Sequence, residues 1–157
     1  MSEGATCVVA IDADEACIDS FYCQLAASEC IEVLPLVIDI TCPTPALGWS
    51  NLERMSLTER GPADLVLALA ISHHLMITSN LPAESIADFL WLCGRRLILE
   101  FVAMEDPMSK VLLESKSCTG IYYSMESFET AFEKRFQILE KVELGDSRRV
   151  LYHMERR

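Results

Sequence analysis

Three apolar runs in this chain stop abruptly at acidic or imidazole side chains. They are Cys7 to Asp14 (CVVAIDAD), Val33 to Ile40 (VLPLVIDI) and Ala63 to His74 (ADLVLALAISHH). Runs that are apolar at successive rather than alternate positions fit strands buried on both faces, the habit of parallel sheets. In an open α/β sheet the ligand lies beyond the carboxyl ends of the strands. The pattern therefore predicts Asp12, Asp14, Asp39, His73 and His74 along one edge of one sheet.

The segments between the runs agree with that sheet. After a strand at 7–12, Asp14 is placed to cap a helix reaching about Glu29, with Cys17, Ile18, Phe21, Tyr22 and Leu25 on one stripe. A second strand covers 33–39, and the two prolines of Thr41 to Pro45 break the pattern after it. Residues 50–60 are expected to form a short polar helix before a strand at 64–70. Leu81-Pro82 opens a helix through Cys93, since proline is acceptable in a first turn. Arg95 to Phe101 reads as a fourth strand and Pro107 to about Ser115 as helical. Strands and helices alternating in this way argue a parallel sheet with right-handed crossovers.

The tail differs. Ser124 to Arg135 predicts a helix, with Phe128, Ala131, Phe132 and Phe136 along its stripe. Phe136, Ile138, Glu140, Val142 and Leu144 then occupy alternate positions, Gly145-Asp146 turns the chain, and Val150, Tyr152 and Met154 alternate again. That is an antiparallel hairpin. No repeat or interdomain linker interrupts the 157 residues, a length that fits one domain.

Charge and cysteine content restrict the partners. With 13 basic and 24 acidic residues the net charge is −11, which repels phosphate backbones and acidic headgroups. Nucleic acid and membrane are poor partners for such a surface. No apolar stretch approaches the span of about 20 residues that a membrane helix needs, and no charged-then-apolar signal segment opens the sequence. The seven cysteines (7, 17, 23, 30, 42, 93 and 118) are odd in number and form no Cys-x-x-Cys pair. They read as reduced thiols of a cytoplasmic protein, and their spacing supplies no zinc site.

Carboxylates at the ends of adjacent parallel strands suit a nucleoside. One, at Asp12 or Asp14, can accept hydrogen bonds from both ribose hydroxyls. Another, one strand over at Asp39, can accept from an adenine amino group, and such charge-assisted bonds are the stronger ones. The plainer alternatives are that Asp14 only caps its helix and that Asp39 only ends its strand. His73 and His74 stand on the rim where a substrate would meet a bound cofactor. A histidine there can act as general base, or can simply bond local backbone at a helix start. Adjacent residues point differently, so at most one of the two faces a cleft. Glu100 and Asp106 are further carboxylates for the same edge, with helix capping the plainer role for Asp106. There is no His-Glu-x-x-His and no Gly-x-Ser-x-Gly, so zinc protease and esterase chemistry have no support.

On Asp12, Asp39, ADLVLALAISHHL and the terminal hairpin, the chain resembles the class I S-adenosylmethionine-dependent methyltransferases from their second strand onward. The resemblance implies a three-layer, Rossmann-like sheet, mostly parallel with a C-terminal antiparallel hairpin, and a single domain over 1–157. It implies that the acid after VVAI (Asp12, with Asp14 beside it) holds the cofactor ribose and that Asp39 and the backbone of Ile40 meet adenine. The turn after ADLVLAL, at Leu69, would hold the methionine end, and His73 or His74 would deprotonate the methyl acceptor. The implied cofactor is S-adenosyl-L-methionine and the reaction is methyl transfer, to an acceptor that nothing in the sequence selects.

The chain departs from the family at its start. The first strand and its Gly-rich turn are absent, and only Met1 to Thr6 precede the first strand. The family's second and fourth strands thereby lose the partner between them, so they would pair directly or take a strand from elsewhere, either a second copy or the missing amino-terminal part. Weak or absent cofactor binding by this piece alone is the expectation. The alternative is a non-catalytic protein that keeps the fold as an assembly partner. A response-regulator receiver fits less well, because Leu69 and Ala70 stand where an acceptor aspartate is needed and Glu100 where a lysine is. A nicotinamide dehydrogenase requires the same absent Gly-rich turn.

Overall fold

The computed structural model describes residues 4–104, 106, 123–145 and 149–157. They fall into two compact units, 1–56 and 57–157.

The first unit holds β1 (Val8–Asp12), α1 (Glu15–Ala27) and β2 (Val33–Val37). The strands are parallel and in register from Val8↔Val33 to Asp12↔Val37. At one end the N–H of Val8 donates to the Glu32 carbonyl over 2.8 Å, and at the other the N–H of Ile38 donates to the Asp12 carbonyl over 2.9 Å. Alternation between these ends turns residues 34, 36 and 38 of β2 toward β1 and residues 33, 35 and 37 outward. Position 35 is a proline with no N–H to offer. The outer side of β2 is thereby closed to another strand, whereas the free side of β1 keeps the donors of Val9 and Ile11.

Asp14 caps α1 as the sequence allows, its Oδ1 accepting from the N–H groups of Ala16 (2.9 Å) and Cys17 (3.1 Å). The helix stripe is only partly covered. Ile18, Phe21 and Leu25 are half-buried, while Cys17 and Tyr22 are exposed. No described residue from 4 to 56 is buried, and Val9 and Leu34 are about half exposed although both lie in strands (50% and 51%).

Two expectations are corrected here. β2 stops at Val37 instead of 39, because Asp39 turns the chain, its carbonyl accepting from the Cys42 N–H over 3.0 Å. Residues 50–60 do not form one polar helix. One single turn, Trp49–Asn51, lies inside the loop closed by an antiparallel bridge between Leu47 and Arg54, and another, Thr58–Arg60, follows it in the sequence. Ser50 and Asn51 both take left-handed φ values (55° and 58°), which no right-handed helix can propagate.

The second unit holds β3 (Ala63–Ala68), α2 (Ala83–Cys93), β4 (Gly94–Val102), α3 (Met125–Phe132), β5 (Phe136–Glu143) and β6 (Arg149–Arg156). Its sheet runs β3-β4-β6-β5, parallel at the first pair and antiparallel at the others. This is the α/β fold with a mixed sheet and terminal hairpin that the pattern predicts. The hairpin closes through the Leu144 N–H, which donates to the Arg149 carbonyl over 2.9 Å. α2 runs straight into β4 at Gly94, where a Cβ would meet Val66 Cγ2 at 2.5 Å, so only glycine lets the two strands pack there. The helix expected from Pro107 to Ser115 lies outside the described residues.

Here the core is aromatic. The Phe128 ring makes tilted contacts with Phe101 (5.0 Å between centroids), Phe132 (4.3 Å) and Tyr152 (5.3 Å), and Phe136 stacks on Phe132. All five rings are essentially inaccessible, and Leu97, Leu99 and Met154 are buried as well. Aromatic pairs at such separations add about 0.5–1.5 kcal/mol each beyond the area they bury. The two edges of this sheet contrast. β5 carries Glu140, Lys141 and Glu143, charges that discourage further pairing. β3 carries Leu65 and Leu67, which are 45% and 60% exposed. Two sheets thus stand where one was expected: among the described residues the sole sheet partner of β1 is β2, and that of β3 is β4.

Candidate functional site

Asp12 closes β1, and Asp39 follows β2 by two residues. Because the strands are parallel and in register, both carboxylates leave from the same end of the pair. Both are exposed. Each spends one oxygen on its own turn. Asp12 Oδ1 accepts from the Asp14 N–H (2.9 Å), and Asp39 Oδ1 accepts from the Thr41 N–H (2.8 Å) and hydroxyl (2.7 Å). The Thr41 bonds hold the Asp39 carboxyl below the usual carboxylate range. In both residues Oδ2 makes no hydrogen bond to a described residue. The Ile40 N–H finds no backbone acceptor among the described residues either. One end of the strand pair therefore offers two carboxylate oxygens and an N–H donor to a ligand.

Asp14 is committed differently. Its carboxyl is pulled below the ordinary value by the Cys17 N–H first, then by the Cys17 thiol and the Ala16 N–H, the signature of a working helix cap. That same carboxylate pushes the Cys17 thiol upward, so the thiol stays protonated.

In the second unit the chain leaves β3 through Leu69, which is 53% exposed, and Ala70, whose φ is +52°. His73 is buried and His74 exposed, with ring centroids 4.2 Å apart. Burial, helped by the neighbouring His74 and Arg149, lowers the His73 pKa to about 4 despite Asp106 and Glu100, so its ring is neutral at physiological pH. His73 Nδ1 is buried without a hydrogen-bond partner among the described residues. His74 opens a π-helical turn, His74–Thr78.

The sequence flagged Glu100 and Asp106 for this edge but not what joins them. Arg149 does, placing Nη1 3.1 Å from Glu100 Oε1 and Nε 3.2 Å from Asp106 Oδ2. The two carboxylates hold the guanidinium firmly protonated. Both acids are buried. An arginine alternating with apolar residues at the start of a strand carries no local sign of such a role; only the β4–β6 register, which sets Val102 opposite Arg149, reveals it. Among the described residues no group of acids, histidines or thiols is arranged to hold a metal ion, and no helix is long and apolar enough to cross a membrane.

No family model matches the sequence. The chain is 30% identical over 156 residues, 99% of its length, to the nodulation protein NoeA of Rhizobium meliloti (strain 1021), of which it spans 33%. Among solved structures it is similar to WbdD, described as a bifunctional kinase-methyltransferase (TM-score 0.62, 16% identity, 98% of this chain and 31% of that one). It is also similar to the 16S rRNA methylase ArmA (TM-score 0.55, 16% identity, 96% and 62%). The chain thus spans about a third of the curated relative and of the first of these structures.

Proposed function

We propose that this chain, whose fold is that of the S-adenosylmethionine-dependent methyltransferases, carries the adenosine-binding half of a methyl-donor site. The observation that carries the reading is the pair Asp12 and Asp39, at the same end of neighbouring in-register strands, each with one carboxylate oxygen that bonds no described residue. An adenosine presents ribose hydroxyls and an exocyclic amino group as donors and ring nitrogens as acceptors. Two carboxylates and the Ile40 N–H match that set. Asp12 takes the ribose, and Asp39 and Ile40 take the base. Asp14 supports Asp12 by fixing the start of α1. Within the second unit, Leu69 and His74 are exposed after β3, and His74 is the candidate general base toward an acceptor. When bound, the donor supplies a sulfonium methyl for direct displacement. The chain's share is to align the nucleophile, and alignment supplies much of the rate.

Full affinity requires a further strand. Pro35 blocks the outer side of β2, and the unpaired N–H groups of Val9 and Ile11 lie on the other side of β1. A segment that adds a strand there, from the same longer polypeptide or from a second copy, also covers the apolar side chains left open in the first unit. By itself the chain binds the donor weakly. The six described cysteines are all unpaired, which supports a reducing, cytoplasmic location.

A second reading is favoured by one observation. The absence of any buried residue between 4 and 56 suits a surface made to be covered by another polypeptide. On that reading the fold serves assembly and the donor is not used. Calorimetric titration of the chain with S-adenosylmethionine separates the two. Heat that saturates, with an affinity about tenfold weaker in Asp12→Asn, supports the donor site. No heat at millimolar donor supports the assembly role.

A further inference from the structure

The turn between β3 and the π-helical turn is tied to β4 through a single residue. The Ala70 N–H donates to Glu100 Oε2 over 2.9 Å, and the Ser72 hydroxyl donates to the Glu100 backbone carbonyl over 2.7 Å. Glu100 thus holds both sides of the turn, one with its carboxylate and one with its backbone. Its other carboxylate oxygen is fixed by Arg149, which Asp106 holds from the far side. Ser72, Glu100 and Asp106 are all buried, so these bonds are shielded from competing water. Within the turn the Leu75 N–H donates to the Ile71 carbonyl over 3.1 Å, carrying the constraint onward to the histidines.

The consequence falls on His73 and His74. With Ala70 held left-handed and Ser72 tied down, the following residue goes inward and the next goes outward, as their burial records. We infer that Glu100, braced by Arg149 and Asp106, is a positioning residue: it decides which of the two histidines faces the methyl acceptor, and it selects His74. The anchoring stands on the contacts alone. Only the role given to His74 rests on the methyltransferase reading. His73 is then the buried prop of the turn, neutral and shut away from substrate.

The test needs no bound donor. Diethylpyrocarbonate labels accessible neutral imidazoles, and mass spectrometry locates the label on His73, His74 or His153. In the full chain at neutral pH, His74 labels readily and His73 does not. Glu100→Ala removes the acceptor of the Ala70 N–H and is expected to raise His73 labelling about tenfold or more, as expected when a bond to a charged acceptor is lost. Glu100→Gln keeps an acceptor oxygen and leaves His73 protected. Should Glu100→Ala fail to fold, Ser72→Ala carries the test. It removes one anchor and raises His73 labelling roughly fivefold, the worth of a single neutral hydrogen bond. The inference is overturned if His74 resists label in the wild-type chain. It is equally overturned if His73 stays protected in a folded Glu100→Ala or Ser72→Ala chain, or if Glu100→Gln exposes it as fully as Glu100→Ala. A failure of donor binding in calorimetry leaves the labelling pattern unchanged, so the two ideas fail separately.

Discussion

The carbonyl of Asp12 accepts the N–H of Ile38 over 2.9 Å, so β1 and the segment carrying Asp39 leave the sheet side by side. This bond brings two acids 27 positions apart in the sequence to one end of one strand pair. Asp12→Asn and Asp39→Asn preserve shape and the local turn bonds while removing charge. Each is expected to weaken donor binding roughly tenfold, the scale of a charge-assisted hydrogen bond, with little change in the thermal midpoint because both groups are exposed. Parallel titration calorimetry and thermal melts check this.

Asp14→Ala acts on stability instead. The cap bonds to Ala16 and Cys17 depress the Asp14 carboxyl. A depressed carboxyl stabilises the fold above the unfolded value and loses that effect as pH falls through the folded one. The variant is expected to lose α1 helicity at neutral pH and to differ less from wild type in strong acid. Asp14→Asn retains most of the cap. Circular dichroism across pH distinguishes these outcomes.

Arg149→Ala leaves two buried carboxylates facing each other without their shared cation. Breaking a buried pair in this way costs about 3–5 kcal/mol. Denaturant unfolding should show a lower midpoint with an unchanged slope, since the surface exposed on unfolding is the same.

His73 gives a pH signature of opposite chemical origin. Its folded pKa, about 4, lies below the ordinary histidine value of 6.5. The unfolded chain binds the extra proton first, so stability falls as pH drops from about 6.5 toward 4 and then levels. The shift corresponds to roughly 3 kcal/mol at its limit. Wild type minus His73→Gln isolates this contribution: the difference in unfolding free energy should favour the variant increasingly over that interval.

Much of this fold could be read from the sequence because its signals are local. Val8 to Ile11 and Val33 to Val37 are continuous apolar runs, and the tail alternates in step with β5 and β6. Asp12 and Asp39 declared themselves by ending such runs. What escaped was long-range or conformational. Arg149 meets Glu100 from 49 positions away. The left-handed Ser50 and Asn51 that prevent a helix over 50–60 carry no strong local signature. The burial that separates His73 from His74 depends on Glu100 on a neighbouring strand. Nor did periodicity disclose that the first unit leaves its apolar residues open, since periodicity reports which residues suit burial and not whether anything covers them.

Amide chemical-shift mapping of the nitrogen-15-labelled chain, titrated with S-adenosylmethionine into the millimolar range, tests the proposed donor site most directly because it registers weak binding residue by residue. The expected shifts cluster on Asp12 to Asp14 and on Asp39 to Thr41, and vanish when Asp12→Asn and Asp39→Asn are combined. Shifts confined to other segments, or none at either acid under millimolar donor, would contradict the assignment.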